Sequence, residues 1–266
     1  MNRQISVVIR NRNEAEALEN VLSILTNLYS KYIKEIIIVD NGSTDNSREV
    51  GLQYNCKIST IDNFTYGKAI NQGISLAKSK YVLLLSAHSV PIGTGFFEHT
   101  FKVLEGENIA GVRYINSFDN YRRAFHNQFE VKDPLQFGLM GACCLINKKV
   151  WEDFKFDEEL LAIEDKEWSK RVVENGYKIL DLNETYFYFI NRTQNSSRNR
   201  FKNETIAEFQ LYNKNFSTPS RSILSFLKKI FWTNNIRYIR TLVNDLKMLR
   251  TKFEIYESLK NRVTKK

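Results

Sequence analysis

Apolar residues along this chain fall into two kinds of run, and their alternation predicts the architecture. Ile5–Ile9, Ile36–Val39, Lys57–Ile61 and Tyr81–Leu85 are too short for isolated helices and read as buried strands. Between them apolar residues recur at three- and four-residue steps: Leu18, Val21, Leu22, Leu25 and Leu28 in one segment, Ala69, Ile70, Gly73, Ile74 and Ala77 in another. That spacing predicts helices over 14–28 and 66–78. The Asn41-Gly42 turn predicts one more, capped by Ser43 or Thr44 and ending near Tyr54. Three strand–helix units and a fourth strand predict an α/β fold on a parallel sheet with right-handed crossovers.

Beyond His88 the pattern loosens. Pro91 is expected to stop the fourth strand's continuation. Phe96–Leu104 reads as a helix, Ile109–Ile115 and Ala142–Ile146 as strands. Glu164–Glu174 reads as a helix closed by Asn175-Gly176, followed by strand-like Tyr177–Leu182 and Thr185–Ile190. Asn116–Gly138 has no clear period and is expected to be a mobile loop. Asn191–Asn215 is polar and expected to be helical in part, and Ser217–Ser220, with the last proline, is the expected hinge.

Charge changes this picture at one end. The 266 residues carry a net charge of +9, yet residues 217–266 hold 12 Lys/Arg against 3 Asp/Glu, so the first 216 balance at 27 of each sign. The excess belongs to the tail and predicts an anionic surface as the tail's partner. Ile236, Ile239, Leu242, Val243, Leu246 and Leu249 follow helical spacing, and Phe226, Phe231 and Trp232 suit an interface with lipid. Packing on the core or on a second copy, as in a homodimer, is the alternative. No nucleic-acid reading motif accompanies the cations, so no nucleic-acid partner is expected. Cys56, Cys143 and Cys144 fit a reduced, cytoplasmic protein, and the adjacent pair lacks the spacer of zinc ligands. No leader opens the chain and no run of 18 apolar residues predicts a membrane span.

Candidate chemistry gathers where strands end, the place where open α/β sheets bind ligands. Asp40, Asn41 and Gly42 follow the second strand. A carboxylate there can accept from a base or a ribose hydroxyl, although a capped turn needs the same residues. Arg10, Arg12 and Lys68 are cations at predicted strand or helix starts, suited to a diphosphate as a group and ordinary surface charge one by one. His88, after Ser86 and Ala87, can ligate a divalent cation or donate to a phosphate oxygen. Glu164 and Asp165 open a helix, where the dipole alone also favours acids.

In this order the segments SVVIRNRNEAEALENVLSIL, EIIIVDNGSTDNS and FTYGKAINQGISLAKSKYVLLLSAH resemble the family-two glycosyltransferases of the GT-A fold. GLMGACCLINKKVWE is similar to that family's acceptor-side strand and helix start, and AIEDKEWSKRV to its Glu-Asp motif. The likeness covers about residues 4–190. The Ile-Arg-x-Arg-Asn-Glu opening with Ser-Ala-His is most similar to a rhamnosyltransferase-like subgroup of bacterial surface-polysaccharide synthesis.

The resemblance implies a GT-A (Rossmann-like), mostly parallel sheet flanked by helices over residues 1–216, with 217–266 as a basic helical extension. It implies inverting transfer of a hexosyl or deoxyhexosyl group from a UDP-, dTDP- or GDP-linked sugar to a hydroxyl of a lipid-linked glycan. Capsule, O-antigen and lipopolysaccharide synthesis are the settings, at the cytoplasmic face of the cell membrane. Arg10, Asn11, Arg12, Asn13, Glu14, Asp40, Asn41 and Gly42 would line the nucleoside pocket, with Lys68 near the base or diphosphate. Gly141, Glu164 and Trp168 would lie on the acceptor side beside the 116–138 loop, and Asp165 would be the catalytic base. Ser86, Ala87 and His88 stand where the family carries Asp-x-Asp, whose last acid meets a divalent cation. His88 would then hold Mn²⁺ or Mg²⁺, or replace the cation by touching phosphate itself. The alternative class is a non-catalytic nucleotide-sugar-binding module.

Overall fold

The four leading apolar runs form parallel strands β1 (Ile5–Asn11), β2 (Ile33–Asp40), β3 (Lys57–Thr60) and β4 (Tyr81–Ser86). Helices α1 (Ala15–Leu28), α2 (Ser47–Gln53) and α3 (Tyr66–Leu76) connect them. The structure is a computed structural model that describes residues 4–190, 193–212 and 217–263, with side chains to Tyr256. The remainder of the first unit comprises β5 (Ser89–Pro91), α4 (Phe96–Val103), β6 (Ile109–Tyr114), α5 (Phe118–His126), α6 (Pro134–Phe137), β7 (Cys143–Asn147) and α7 (Lys148–Asp153). It ends with α8 (Glu164–Glu174), β8 (Lys178–Leu182), β9 (Tyr186–Tyr188) and α9 (Gln194–Tyr212). The main sheet has seven strands in the order β3-β2-β1-β4-β7-β6-β8, with β7 antiparallel to both neighbours. It is the mostly parallel, helix-flanked sheet that the pattern predicts.

Strand alternation divides the core into two layers. Ile5, Val7, Ile9, Leu83, Leu85 and Cys143 face α1 and α4, whereas Val8, Val82, Leu84, Cys144 and Ile146 face α3, α7 and α8. The adjacent cysteines therefore belong to opposite layers, each fully buried, and burial raises both thiol pKa values well above the ordinary range. Gly73 lets α3 approach β1 closely, since a Cβ there would meet Val8 Cγ1 at 2.3 Å.

Three local expectations are corrected. Pro91 is not what ends the fourth strand, which stops at Ser86; it closes β5, which pairs with β9 in a separate two-stranded ribbon, where a missing N–H is tolerated. Helix α2 starts later than expected, because Asp45 rather than Ser43 or Thr44 receives its first bonds, from Ser47 N (3.1 Å) and Oγ (2.6 Å). The 116–138 segment is not an unstructured loop but holds α5 and α6. Ser117 caps the first by accepting from Asn120 N, and Asp133 with Pro134 starts the second. Helix α5 carries Phe118, Tyr121 and Phe125 at helical spacing, but all three are exposed and Ala124 alone is buried along it; an Arg123–Asp181 ion pair ties it down.

The chain divides into two compact units, residues 1–214 and 215–266. In the second, Thr218 and Pro219 begin α10 (Pro219–Lys228), so the expected hinge residues are a helix start; residues 191–192 and 213–216 lie outside the described ones. One π-helical turn (Lys229–Thr233) leads into α11 (Asn234–Val263). Phe231, Trp232, Ile239, Leu242, Leu246 and Leu249 are all exposed. No helix among the described residues is long and apolar enough to cross a membrane.

Candidate active site

Strands β1 and β2 end side by side, with Asn11 opposite Asp40. The loops leaving them are stitched together. Asn11 Nδ2 donates to Asp40 Oδ1 (3.2 Å) and to Ser43 Oγ (3.1 Å). Ser43 returns its backbone N–H to Asp40 Oδ2 (3.0 Å) and its hydroxyl to Oδ1 (2.5 Å). Asn13, in the left-handed region at φ 52°, donates its N–H to Ser43 Oγ (2.9 Å) and accepts from Thr44 N (2.7 Å). Asp40 is buried and three of its lone pairs are already used, so its main work is to hold this rim. Arg12 is exposed.

Strand β4 delivers the next group. Ala87 N donates to Arg10 O (3.1 Å), and Phe189 N to His88 O (3.1 Å), which fixes the backbone around His88 between β1 and β9. The nearly buried imidazole bonds through Nδ1 to Glu14 Oε2 (2.5 Å), and Tyr188 meets it edge-on at 5.0 Å. Glu14 occupies the N-cap position of α1 without capping it and turns its carboxylate to His88, while Asp45 Oδ2 accepts from Ala15 N (2.9 Å).

Arg10, at the end of β1, reaches the other side of the same edge. Its Nη2 donates to Gly141 O (2.5 Å), its Nη1 lies 3.7 Å from Glu164 Oε1, and its guanidinium stacks over Tyr66 at 5.3 Å. Gly141 N in turn donates to Asp165 Oδ2 (2.8 Å), while Lys166 N donates to Oδ1 (2.9 Å). A Cβ on Gly141 would sit 3.1 Å from Arg10 Nη2 and 3.6 Å from Asp165 Oδ2, so this glycine lets the guanidinium and the carboxylate close on one peptide. Ile163, just before the acid pair, holds φ 59°, a costly conformation for a β-branched residue that sets the start of α8.

Burial raises the pKa of both acids. Glu164 is pushed up to about 8, first by burial and then by the Asp165 charge, with Arg10 opposing. Asp165 is raised by burial, against the Gly141 N–H and the nearby cations. Asp165 has two backbone donors that favour its ionised form, whereas the rise at Glu164 is opposed by Arg10, its own backbone N–H and the more distant Arg200. Burial outweighs these, and both acids are held above the ordinary carboxylate range at one edge of the sheet.

The glycosyl transferase family 2 model matches residues 6–157, more than half of the chain and all of the β1–β4 edge. The chain belongs to that family. A glycosyltransferase of Methanocaldococcus jannaschii, itself uncharacterised, is 23% identical over 192 residues, 65% of this chain and 66% of its own length. Poly-beta-1,6-N-acetyl-D-glucosamine synthase of Staphylococcus aureus is 38% identical over 86 residues, 29% of this chain and 20% of its own. The chain thus spans just under two thirds of the first relative and one fifth of the second. Among solved structures, a Pyrobaculum calidifontis mannosyltransferase in complex with GDP-Man and Mn²⁺ superposes with a TM-score of 0.62 at 15% identity, covering 81% of this chain and 66% of that one. Glucosyl-3-phosphoglycerate synthase of Mycobacterium tuberculosis gives 0.60 at 15% identity, covering 81% and 82%. These likenesses establish the GT-A fold.

Family 2 enzymes of this fold imply a divalent cation, and the residues here can be tested against it. Among the described residues no cluster of three or more His, Cys, Asp or Glu could hold a metal unaided. His88 Nε2 has no hydrogen-bond partner among the described residues and is not one of the sealed-off polar atoms. A neutral imidazole backed by a carboxylate is a metal-ligand arrangement, and it suits Mn²⁺ better than Mg²⁺. The residues therefore fit a cation that takes one ligand from the protein.

One expected site residue lies elsewhere. Trp168 is fully buried, stacked on Phe156 at 5.1 Å with its indole N–H on Phe154 O, so it supports α8 from the core and cannot meet an acceptor. Lys68 lines an open depression of about 500 Å³ with Gln72, Glu158 and Thr60, the last being the sheet partner of Asp40. Sequence reasoning missed Tyr66 as part of the site, and the Glu14–His88 pairing. These contacts join residues far apart in the chain, and no local pattern announces them.

Proposed function

We propose that this family 2 glycosyltransferase moves a sugar, with inversion, from a nucleoside diphosphate to a hydroxyl of a glycan acceptor. The observation that carries the reading is the Asp165 carboxyl group, held by Gly141 and Lys166 N–H groups that favour its ionised form, with Glu164 and Arg10 beside it. Asp165 takes the proton of the acceptor hydroxyl as that oxygen bonds to C1 of the sugar. The bond from C1 to the diphosphate oxygen breaks on the opposite face, and the diphosphate leaves with the electron pair. The Asn11–Asp40–Ser43 rim receives the nucleoside, and the His88 end of β4 receives the diphosphate. A cation bound at His88 would supply charge neutralisation for the leaving group. The staphylococcal relative, a poly-beta-1,6-N-acetyl-D-glucosamine synthase by name, supports a polysaccharide as the product class. The rhamnosyltransferase-like opening supports a deoxyhexosyl donor. Incubation with a panel of UDP-, dTDP- and GDP-sugars and an acceptor glycan, followed by NMR of the anomeric proton, tests the reading. An inverted linkage is expected, and a retained one or the absence of transfer overturns it.

The tail supports a lipid-linked acceptor presented at a cytoplasmic membrane surface. Its apolar face is exposed over α10 and α11, and its net charge of +9 disfavours a second copy of itself as partner. The full chain should float with vesicles of anionic phospholipid, and a chain ending at residue 217 should not. Salt-independent dimerisation of the full chain, without flotation, would replace the membrane by a second copy.

A further inference from the structure

We infer that Glu14 is a positioning residue that fixes the imidazole of His88 with its Nε2 lone pair turned outward, ready for a divalent cation. The inference rests on the nucleotide-sugar reading of the site and adds a residue that the family's Asp-x-Asp pattern does not contain. Three observations carry it. Glu14 Oε2 lies 2.5 Å from His88 Nδ1, and an ionised carboxylate can only accept, so the proton of the neutral ring sits on Nδ1. Glu14 stands at the N-cap of α1 yet gives that helix no side-chain bond; its carboxylate is committed to His88 instead. Tyr188 closes on the ring from one side at 5.0 Å, and Phe189 N holds the His88 carbonyl, so ring and backbone are both fixed.

The chemistry follows from the exchange of ligands. Where an acid would offer a cation an oxygen, this chain offers one nitrogen, and a lone imidazole is free to present either tautomer. A carboxylate behind Nδ1 removes that freedom and increases the basicity of Nε2, as second carboxylates do behind metal-bound histidines. Glu14 thereby restores to the site a negative charge that Ser86 and His88 no longer supply.

The test reads the tautomer first, independently of activity. The full chain is labelled with ring-¹⁵N histidine, and the His88 signals are assigned by their loss in His88→Asn. At a pH where the ring is neutral, the wild type should show the Nδ1–H form. Glu14→Ala should revert to the Nε2–H form that free imidazole prefers, and Glu14→Gln, which keeps an acceptor oxygen, should retain Nδ1–H. Mn²⁺ affinity, read by electron paramagnetic resonance with pyrophosphate present, should fall about 10–100-fold in Glu14→Ala. An Nε2–H ring in the wild type, a tautomer indifferent to Glu14→Ala, or Mn²⁺ affinity equal in both proteins overturns the inference. Failure of the glycosyl-transfer reading looks different: no sugar is transferred, while the tautomer and the Mn²⁺ effect are as stated.

Discussion

The β1–β2 edge and the β7–α8 edge face the same end of the sheet, but they hold their residues by different means. At the first, one carboxylate, one amide and one hydroxyl are joined by short polar bonds within two adjacent turns. At the second, charges are buried: Arg10 against Glu164 and Asp165, with Arg113 and Arg123 sharing the single carboxylate of Asp181 nearby on β8 and α5. Hydrogen-bonded turns give shape at little electrostatic cost, whereas buried acids cost stability and gain reactivity. The difference teaches where binding and chemistry should separate: changes at the β1–β2 edge should act on donor affinity, changes at the β7–α8 edge on turnover and on the pH dependence of stability.

The largest effect should come from Asp165→Asn. Removing the base should lower kcat by about 10²–10⁴-fold or more while nucleotide affinity, measured calorimetrically, stays near wild type. Equal losses in both would erase the contrast between the edges. Next is Asp181→Asn, which leaves two buried guanidinium groups without their carboxylate. It should cost about 3–5 kcal/mol in urea unfolding; a loss under 1 kcal/mol would mean that the cluster does not need its charge.

Glu164 gives a pH signature. Its folded pKa of about 8 lies above the unfolded value of about 4.3, so between them the folded state carries a proton that the unfolded state has released. The stability it contributes is complete below about pH 4.3 and is lost as pH rises toward 8, at no more than about 1.4 kcal/mol per pH unit. Glu164→Gln should flatten that decline in denaturant titrations from pH 5 to 8. An unchanged slope would assign the proton elsewhere. The smallest effect should be Asn11→Ala, which loses two hydrogen bonds at the rim. It should raise KM for the donor about tenfold, near 1.4 kcal/mol, with kcat little changed.

Legibility in the sequence followed the same division. β1, β2, β4 and the helices between the first four strands show in the apolar period, because each is buried along one face or throughout, while β3 is short and only partly covered; Asn41-Gly42 announces its turn. Helices α5 and α6 are less legible, since the Phe118, Tyr121 and Phe125 stripe of α5 stays exposed and Arg123 on Asp181 holds the helix, although Ser117 and Asp133-Pro134 mark both starts. Glu164 and Asp165 are visible as an acidic pair, yet nothing local tells that Glu164 is buried, that Gly141 joins Asp165 to Arg10, or that Ile163 is strained. Trp168 misled because an indole beside an acid pair suits a sugar site as well as it suits a core. The Glu14–His88 bond spans 74 positions and turns an N-cap residue away from its helix, which no pattern along the chain records.

One measurement bears on both edges at once: thermal unfolding of wild type, Asn11→Ala and Asp165→Asn with a panel of nucleoside diphosphates and nucleotide sugars, with and without Mn²⁺. A single base should stabilise the wild type and Asp165→Asn alike, and Asn11→Ala much less. No stabilisation by any nucleotide, or stabilisation that vanishes with Asp165 but survives loss of Asn11, would contradict the account.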